Sequence, residues 1–211
     1  MFSLISFSCT VMMLWNAKKE GQKTITMKET KFNAKFMALG AIIAAMYVAL
    51  TIIFAPISYG AVQVRISEAF TILPLFTPAA IPGLFVGCLL ANILGGAILW
   101  DIIFGSIATL IGAALGYLLR FNRWLVPIPT IVSNSVIIPF ILKYGYGIDM
   151  SIWLLIIYIA IGEIIGCYVL GELLATAILK RKDIRNLFSR DDKKQAAVSE
   201  DEHTPDEYDR D

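Results

Sequence analysis

Between Ala34 and Lys180 the chain runs through long apolar stretches separated by short clusters of Pro, Gly and charged residues, a pattern that predicts six helices. The first, Ala34 to Phe54, has no ion after Lys35 and matches the roughly 20 residues needed to cross a bilayer. Pro56, Gly60 and the mixed run SYGAVQVR break it, and a short second helix follows over Ile66 to Phe76. TPAAIPG leads into the third helix, which ends near Leu94 before Gly95 and Gly96. The fourth runs from Asp101 to about Leu119, the fifth from about Trp124 to Leu142, and the sixth from Ser151 to about Leu179. Pro127, Pro129 and Pro139 are compatible with the fifth helix because neighbouring helices can satisfy the carbonyls they free. The sixth exceeds the bilayer thickness and is expected to tilt or project from it.

Composition agrees with this pattern. Hydrophobic residues make up 57% of the 211 and mean hydropathy is +0.71, beyond ordinary globular usage, which predicts an all-α integral membrane protein. The net charge of +1 conceals a strong asymmetry. Six lysines from Lys18 to Lys35, the Arg120 and Arg123 pair, and the run Lys180, Arg181, Lys182 and Arg185 fall on one side of a six-span layout. Arg65 and Lys143 are all that the other loops hold, so both termini are expected in the cytoplasm. Residues 1–33 read as a basic extension, with Met27 a candidate translation start, and residues 181–211 as an acidic disordered tail. Cys9, Cys88 and Cys167 are widely spaced, which predicts small apolar fillers rather than a disulfide or metal site. There is no HExxH, GxSxG or phosphate-cradling glycine loop, and His203 lies in the tail, so neither catalysis, nor ATP binding by this chain, nor a cofactor is expected. Nor does anything point to nucleic acid.

The candidate chemistry lies in the polar residues that interrupt the spans. A charge within the hydrocarbon region costs about 3 kcal/mol or more, so Arg65, Glu68 and Glu163 are expected to line a site. Depth counting puts Glu68, Asn92 and Asp101 at one level near the outer face, with Asn134 and Glu163 nearer the middle. Trp100, Trp153 and Tyr158 add aromatic surface, and the Pro56 to Gln63 loop, holding Tyr59 and Gln63, would cover the pocket. Each residue also has a plainer role. Arg65 could pair with Glu68, Asp101 could cap a helix, the asparagines could join helices, and the tryptophans could anchor at the interface. Glu172 is expected to reach solvent near Lys180. Ala34, Ala38, Ala41, Ala45 and Ala49 form one stripe on the first helix, suited to close approach by a neighbouring helix, inside this bundle or outside it.

The run YVALTIIFAPISYGAVQVRISEAFTILPLFTPAAIPGLFVGCLLANILGG, followed by DIIFGSIATLIGA, resembles the QueT family. These are substrate-binding (S) components of bacterial energy-coupling factor transporters, assigned to queuosine precursors. The resemblance implies a six-helix S component in the plasma membrane that captures substrate from outside. A membrane coupling protein (T component) and two cytoplasmic ATPases would then reorient it. It also implies that an AxxxA motif on the first helix meets the coupling protein. Ala41 to Ala45 is the nearest match, and Ala34 to Ala38 and Ala45 to Ala49 also fit. The implied substrates, 7-cyano- and 7-aminomethyl-7-deazaguanine, present a donor pair that a carboxylate can accept and a carbonyl that an amide or Arg can bind. Glu68 is the expected carboxylate, with Glu163 second, Asn92 and Asn134 the amide partners, and Tyr59, Trp100 or Trp153 the stacking face. Alternatives are an S component for another vitamin or base, a proton-coupled secondary transporter using Glu68 and Glu163 as a relay, and a structural or signalling membrane protein.

Overall fold

The computed structural model describes residues 34–59 and 63–181; the basic extension with its candidate start at Met27, most of the acidic tail, Cys9 and His203 lie outside the described residues. Among the described residues six principal helices follow in order: α1 (Ala34–Ile53), α2 (Ile66–Leu75), α3 (Ala80–Leu94), α4 (Asp101–Leu118), α5 (Arg123–Gly145) and α6 (Ile152–Lys180). Four of them, α1, α4, α5 and α6, are long and apolar enough to cross a membrane. The other two, α2 and α3, are shorter apolar helices. Element order and boundaries agree with the sequence pattern to within a few residues.

Local geometry departs from that pattern in an informative way. Over its whole length α2 is a 3-10 helix, with an extended Arg65 before it and Pro74, which lacks an N–H, inside it. A 3-10 turn holds three residues, so Arg65, Glu68 and Thr71 fall on one side and polar groups are concentrated there. Ser67 through Pro74 are all buried, as expected for a short helix enclosed by longer ones. Among the described residues three π-helical segments interrupt the long helices: Asp101–Gly105 opens α4, Ile141–Gly145 closes α5 just after Pro139, and Ile164–Leu170 lies inside α6.

The α1 and α3 helices approach closely, and that approach depends on missing side chains. A Cβ at Gly83 would stand 2.8 Å from the Gly40 carbonyl oxygen, and one at Gly87 would stand 2.9 Å from Tyr47 Cβ. Small residues therefore let the two backbones touch, the usual route to tight association in a membrane. The main core spreads outward from this seam through Ile43, Tyr47, Phe70, Leu73, Leu84, Cys88 and Ile178. A second cluster, Ile138, Ile141, Leu142, Leu155 and Ile159, joins α5 to the first half of α6.

Two ends can be distinguished. At one, the α3–α4 and α5–α6 connections meet where Ile98 N donates to Tyr146 Oη at 3.3 Å, and Tyr59, which follows α1, donates to the Ala91 carbonyl at 2.8 Å. At the other, Arg123 at the start of α5 pairs with Glu172 of α6 at 3.3 Å, and Trp124 packs on Tyr168. Glu172 is thus buried and paired with the first residue of α5, not directed to solvent near Lys180.

The seam yields a direct test. Gly83→Val forces backbone apart and is expected to cost about 1–3 kcal/mol, the usual range for overpacking. Thermal unfolding in detergent should show a clearly lowered midpoint for Gly83→Val and little change for Ala41→Val, whose side chain is exposed.

Candidate functional site

The buried ions and amides form two connected groups. In the inner group, Tyr47 of α1 makes a short hydrogen bond to Glu68 Oε1 on α2. Cys167, in the π segment of α6, donates to Glu163 Oε2 at 3.0 Å and lies 3.9 Å from Glu68 Oε2. Asn134 Nδ2 of α5 donates to Glu163 Oε1 at 2.9 Å. A chain of polar contacts thus runs Tyr47, Glu68, Cys167, Glu163, Asn134 across four helices, and it joins Glu68 to Glu163. Thr51 and Ser67, bonded at 2.7 Å, tie α1 to the start of α2 beside it.

The outer group lies at the end where the connections meet. Asn92 Nδ2 donates to the Asp101 carbonyl at 3.2 Å, and Asp101 Oδ2 accepts from Tyr146 Oη at 3.2 Å. Burial pushes the Tyr59 and Tyr146 phenols above their ordinary range, so both remain hydrogen-bond donors. Gly105 packs closely against this group, since a Cβ there would come within 2.9 Å of Asp101 Oδ1 and 3.3 Å of Asn92 Nδ2.

Arg65 links the groups. Its side chain is 4% exposed, its guanidinium lies 5.7 Å from the Tyr59 ring centre, and it is within electrostatic reach of Tyr47, Glu68 and Asp101. Yet Arg65 Nε and Nη2 meet no acceptor, so the expected simple pairing with Glu68 does not consume them. Asn92 Oδ1, Asp101 Oδ1 and Asn134 Oδ1 are equally buried and without a partner. An unmet buried polar atom costs about 1–3 kcal/mol, and such atoms on α3, α4, α5 and just before α2 are what a polar ligand would satisfy.

The remaining expected residues divide. Gln63 is buried and holds a φ of 45°, a left-handed backbone that a side-chain-bearing residue adopts at a cost. Tyr158 is half-buried. Trp100 and Trp153 are 59% and 72% exposed, away from the buried groups. Trp100 stacks on Phe104 and lines an open apolar groove of about 560 Å³ with Phe140 and Tyr144. The five alanines of the stripe are all exposed, whereas Gly40, Ala44 and Tyr47 form the face of α1 that packs inside.

Sequence reasoning passed over Tyr47, Tyr146 and the thiols. Cys167 is not an apolar filler: its Sγ bridges two carboxylates, and Cys88 accepts from Thr109 Oγ1 at 3.4 Å. The signal for Cys167 was its place four residues after Glu163, one helical turn on. Glu68, Glu163 and Cys167 present ligand atoms within 4.8 Å of one another. Their mutual hydrogen bonds and the guanidinium nearby account for the arrangement without a cation.

Comparison with known proteins bears on what this site is. A family model described as QueT transporter matches residues 37–180, nearly all of the described helices. The chain is 39% identical over 87 residues to the queuosine precursor transporter QueT of Lactococcus lactis subsp. cremoris (strain MG1363), a match covering 40% of this chain and 50% of that protein. No solved structure matches the chain. With the family match extending over most of its length and through every helix of the site, the chain belongs to the QueT transporter family.

Proposed function

We propose that this protein captures queuosine precursors at the outer face of the plasma membrane and is the S component of an importer whose ATPases reside in partner chains. The relative's name supplies the substrate class, and the observation that carries the reading is the set of unmet polar atoms around Arg65. A 7-deazaguanine ring offers adjacent N1–H and amine donors on one edge and a carbonyl beside them. Glu68 takes the donor pair, since each carboxylate oxygen has two lone pairs and the protein uses only part of that capacity. Arg65 Nε or Nη2 takes the carbonyl, and Asn134 Oδ1 or Asn92 Oδ1 accepts remaining donors. Tyr59, half-buried and already beside the guanidinium, is the stacking face, with Gln63 near the mouth.

Six spans with both termini inside place the basic end, Arg120, Arg123, Lys180 and Arg181, in the cytoplasm and the site end outside. The exposed alanine stripe supports a docking role for α1, because its small residues are not consumed by packing within this chain. Ala41 and Ala45 are the proposed centre of the contact with the membrane coupling protein.

Two measurements test the reading. Glu68→Gln keeps the size of the side chain but turns one acceptor into a donor that faces the ring's own donors, and should weaken binding of a 7-deazaguanine base at least about tenfold by calorimetry. Unchanged affinity would remove Glu68 from the site. Ala41→Leu with Ala45→Leu should leave base binding intact while abolishing copurification of the coupling protein and ATPases, and with it uptake in cells. The bridged pair Glu68 and Glu163 favours one rival, a proton-coupled carrier. Uptake that persists after deletion of the ATPases would decide for that rival.

A further inference from the structure

Tyr47 is out of place on α1 unless its hydroxyl has a task. Among the described residues it is the largest side chain that is fully buried, at 1% exposure. It sits in the seam with α3, where a Cβ at Gly87 would stand 2.9 Å from Tyr47 Cβ. A phenylalanine would fill that space equally well and avoid the cost of taking a hydroxyl out of water. The hydroxyl donates to Glu68 Oε1. One turn further along α1, Thr51 is bonded to Ser67 Oγ at 2.7 Å, so two consecutive residues of α2 are held by the same helix.

Glu68 needs such a hold at its head more than at its stem. The stem is packed, since a Cβ at Gly166 would stand 3.4 Å from Glu68 Cβ. The terminal torsion of a glutamate is broad, so packing of the stem does not set the plane of the carboxylate. At Oε2 the Cys167 thiol is 3.9 Å away, and its single proton is directed to Glu163 Oε2 at 3.0 Å. Among the described residues, Tyr47 therefore makes the one firm hydrogen bond to the head of Glu68.

An edge with two adjacent donors, such as N1–H and the exocyclic amine of a 7-deazaguanine, is met in full only by a carboxylate whose two oxygens lie in the plane of the ring. We propose that Tyr47 is a positioning residue for substrate recognition: it acts through Glu68, setting the plane in which both carboxylate oxygens face that donor pair. This role rests on the reading of Glu68 as the carboxylate that takes the base, and adds what orients it. A carboxylate left to turn still reaches one donor, but it meets both in only a fraction of its orientations. Loss of the Tyr47 hydroxyl therefore weakens a ring with two donors more than a ring with one.

The test is calorimetric binding to the full chain in nanodiscs, with 7-aminomethyl-7-deazaguanine and with the same ring lacking the exocyclic amine. Tyr47→Phe should weaken the first by about tenfold, as loss of a hydrogen bond to a charged group does, and the second by clearly less. In the Glu68→Gln background, Tyr47→Phe should change affinity by less than about twofold, because the group it orients is already altered. Thr51→Val, which removes the neighbouring tie between α1 and α2, should leave the preference between the two rings unchanged. Unchanged affinity in Tyr47→Phe, an equal loss for both rings, or a full loss that persists in the Glu68→Gln background overturns the inference and leaves the carrier reading standing. So does a loss of the preference in Thr51→Val, which would make the effect one of helix docking. Should Tyr47→Phe fail to fold, 3-fluorotyrosine at position 47 retains the hydroxyl, and its fluorine resonance should shift at saturating base; no shift overturns the inference. If the wild-type chain binds neither ring, the carrier reading fails and this inference with it.

Discussion

Everything at the centre of this bundle follows from the cost of holding ions away from water. Arg65, Glu68, Asp101 and Glu163 are each at most 5% exposed in a chain whose surrounding helices are apolar on nearly every face. In such surroundings an ion persists only with partners arranged around it. The partners come from far along the chain: Tyr47 from α1, Asn134 from α5, Cys167 from α6 and Tyr146 from the loop after α5. Helix packing is therefore specified from within by polar geometry as well as by the glycine seam between α1 and α3.

The departures from regular α-helix occur where that geometry demands them. A 3-10 helix at α2 aligns Arg65, Glu68 and Thr71, whereas an α-helix would spread them over a wider arc. The π segment in α6 begins immediately after Glu163 and contains Cys167, and the one opening α4 begins with Asp101 itself. Each π turn inserts extra backbone into a helix, and such insertions recur at functional sites because they redirect a side chain without ending the element. Gln63 shows the same economy in a connection, accepting a left-handed backbone while its side chain is buried.

How much of this was legible in the sequence can be argued residue by residue. The helices were, because apolar runs bounded by Gly, Pro and charges, four of them of bilayer length, leave few alternatives. Glu68, Asn92, Asp101, Asn134 and Glu163 were legible because polar residues in apolar runs are conspicuous, and the structure buries all five. Tyr47 was not, since one tyrosine in an apolar helix looks like interface or core until its hydroxyl is seen against Glu68. Cys167 failed for a related reason: thiols are usually buried as apolar groups, and only the neighbour decides whether the weak S–H donor is used. Trp100 and Trp153, 59% and 72% exposed, stand as interfacial anchors would: their depth could be counted from the sequence, but rotational phase decides which way an aromatic faces. Glu172 likewise depended on where the start of α5 sets Arg123, which no periodicity encodes.

The two faces of α1 connect these constraints. One face packs Gly40 and Ala44 against α3 and sends Tyr47 and Thr51 to Glu68 and Ser67. The other carries the exposed alanines, with Ala45 only two residues from Tyr47. A partner that gripped this stripe would thus hold the very element that anchors the central carboxylate. Because α1 and α3 touch through backbone, a displacement of α1 cannot be absorbed by side chains at that seam and must carry α3, and Asn92 with it. In the proposed importer, the ligand-holding groups and the driving partner are therefore separated by no more than the width of one helix, and a bundle so built transmits movement as a unit.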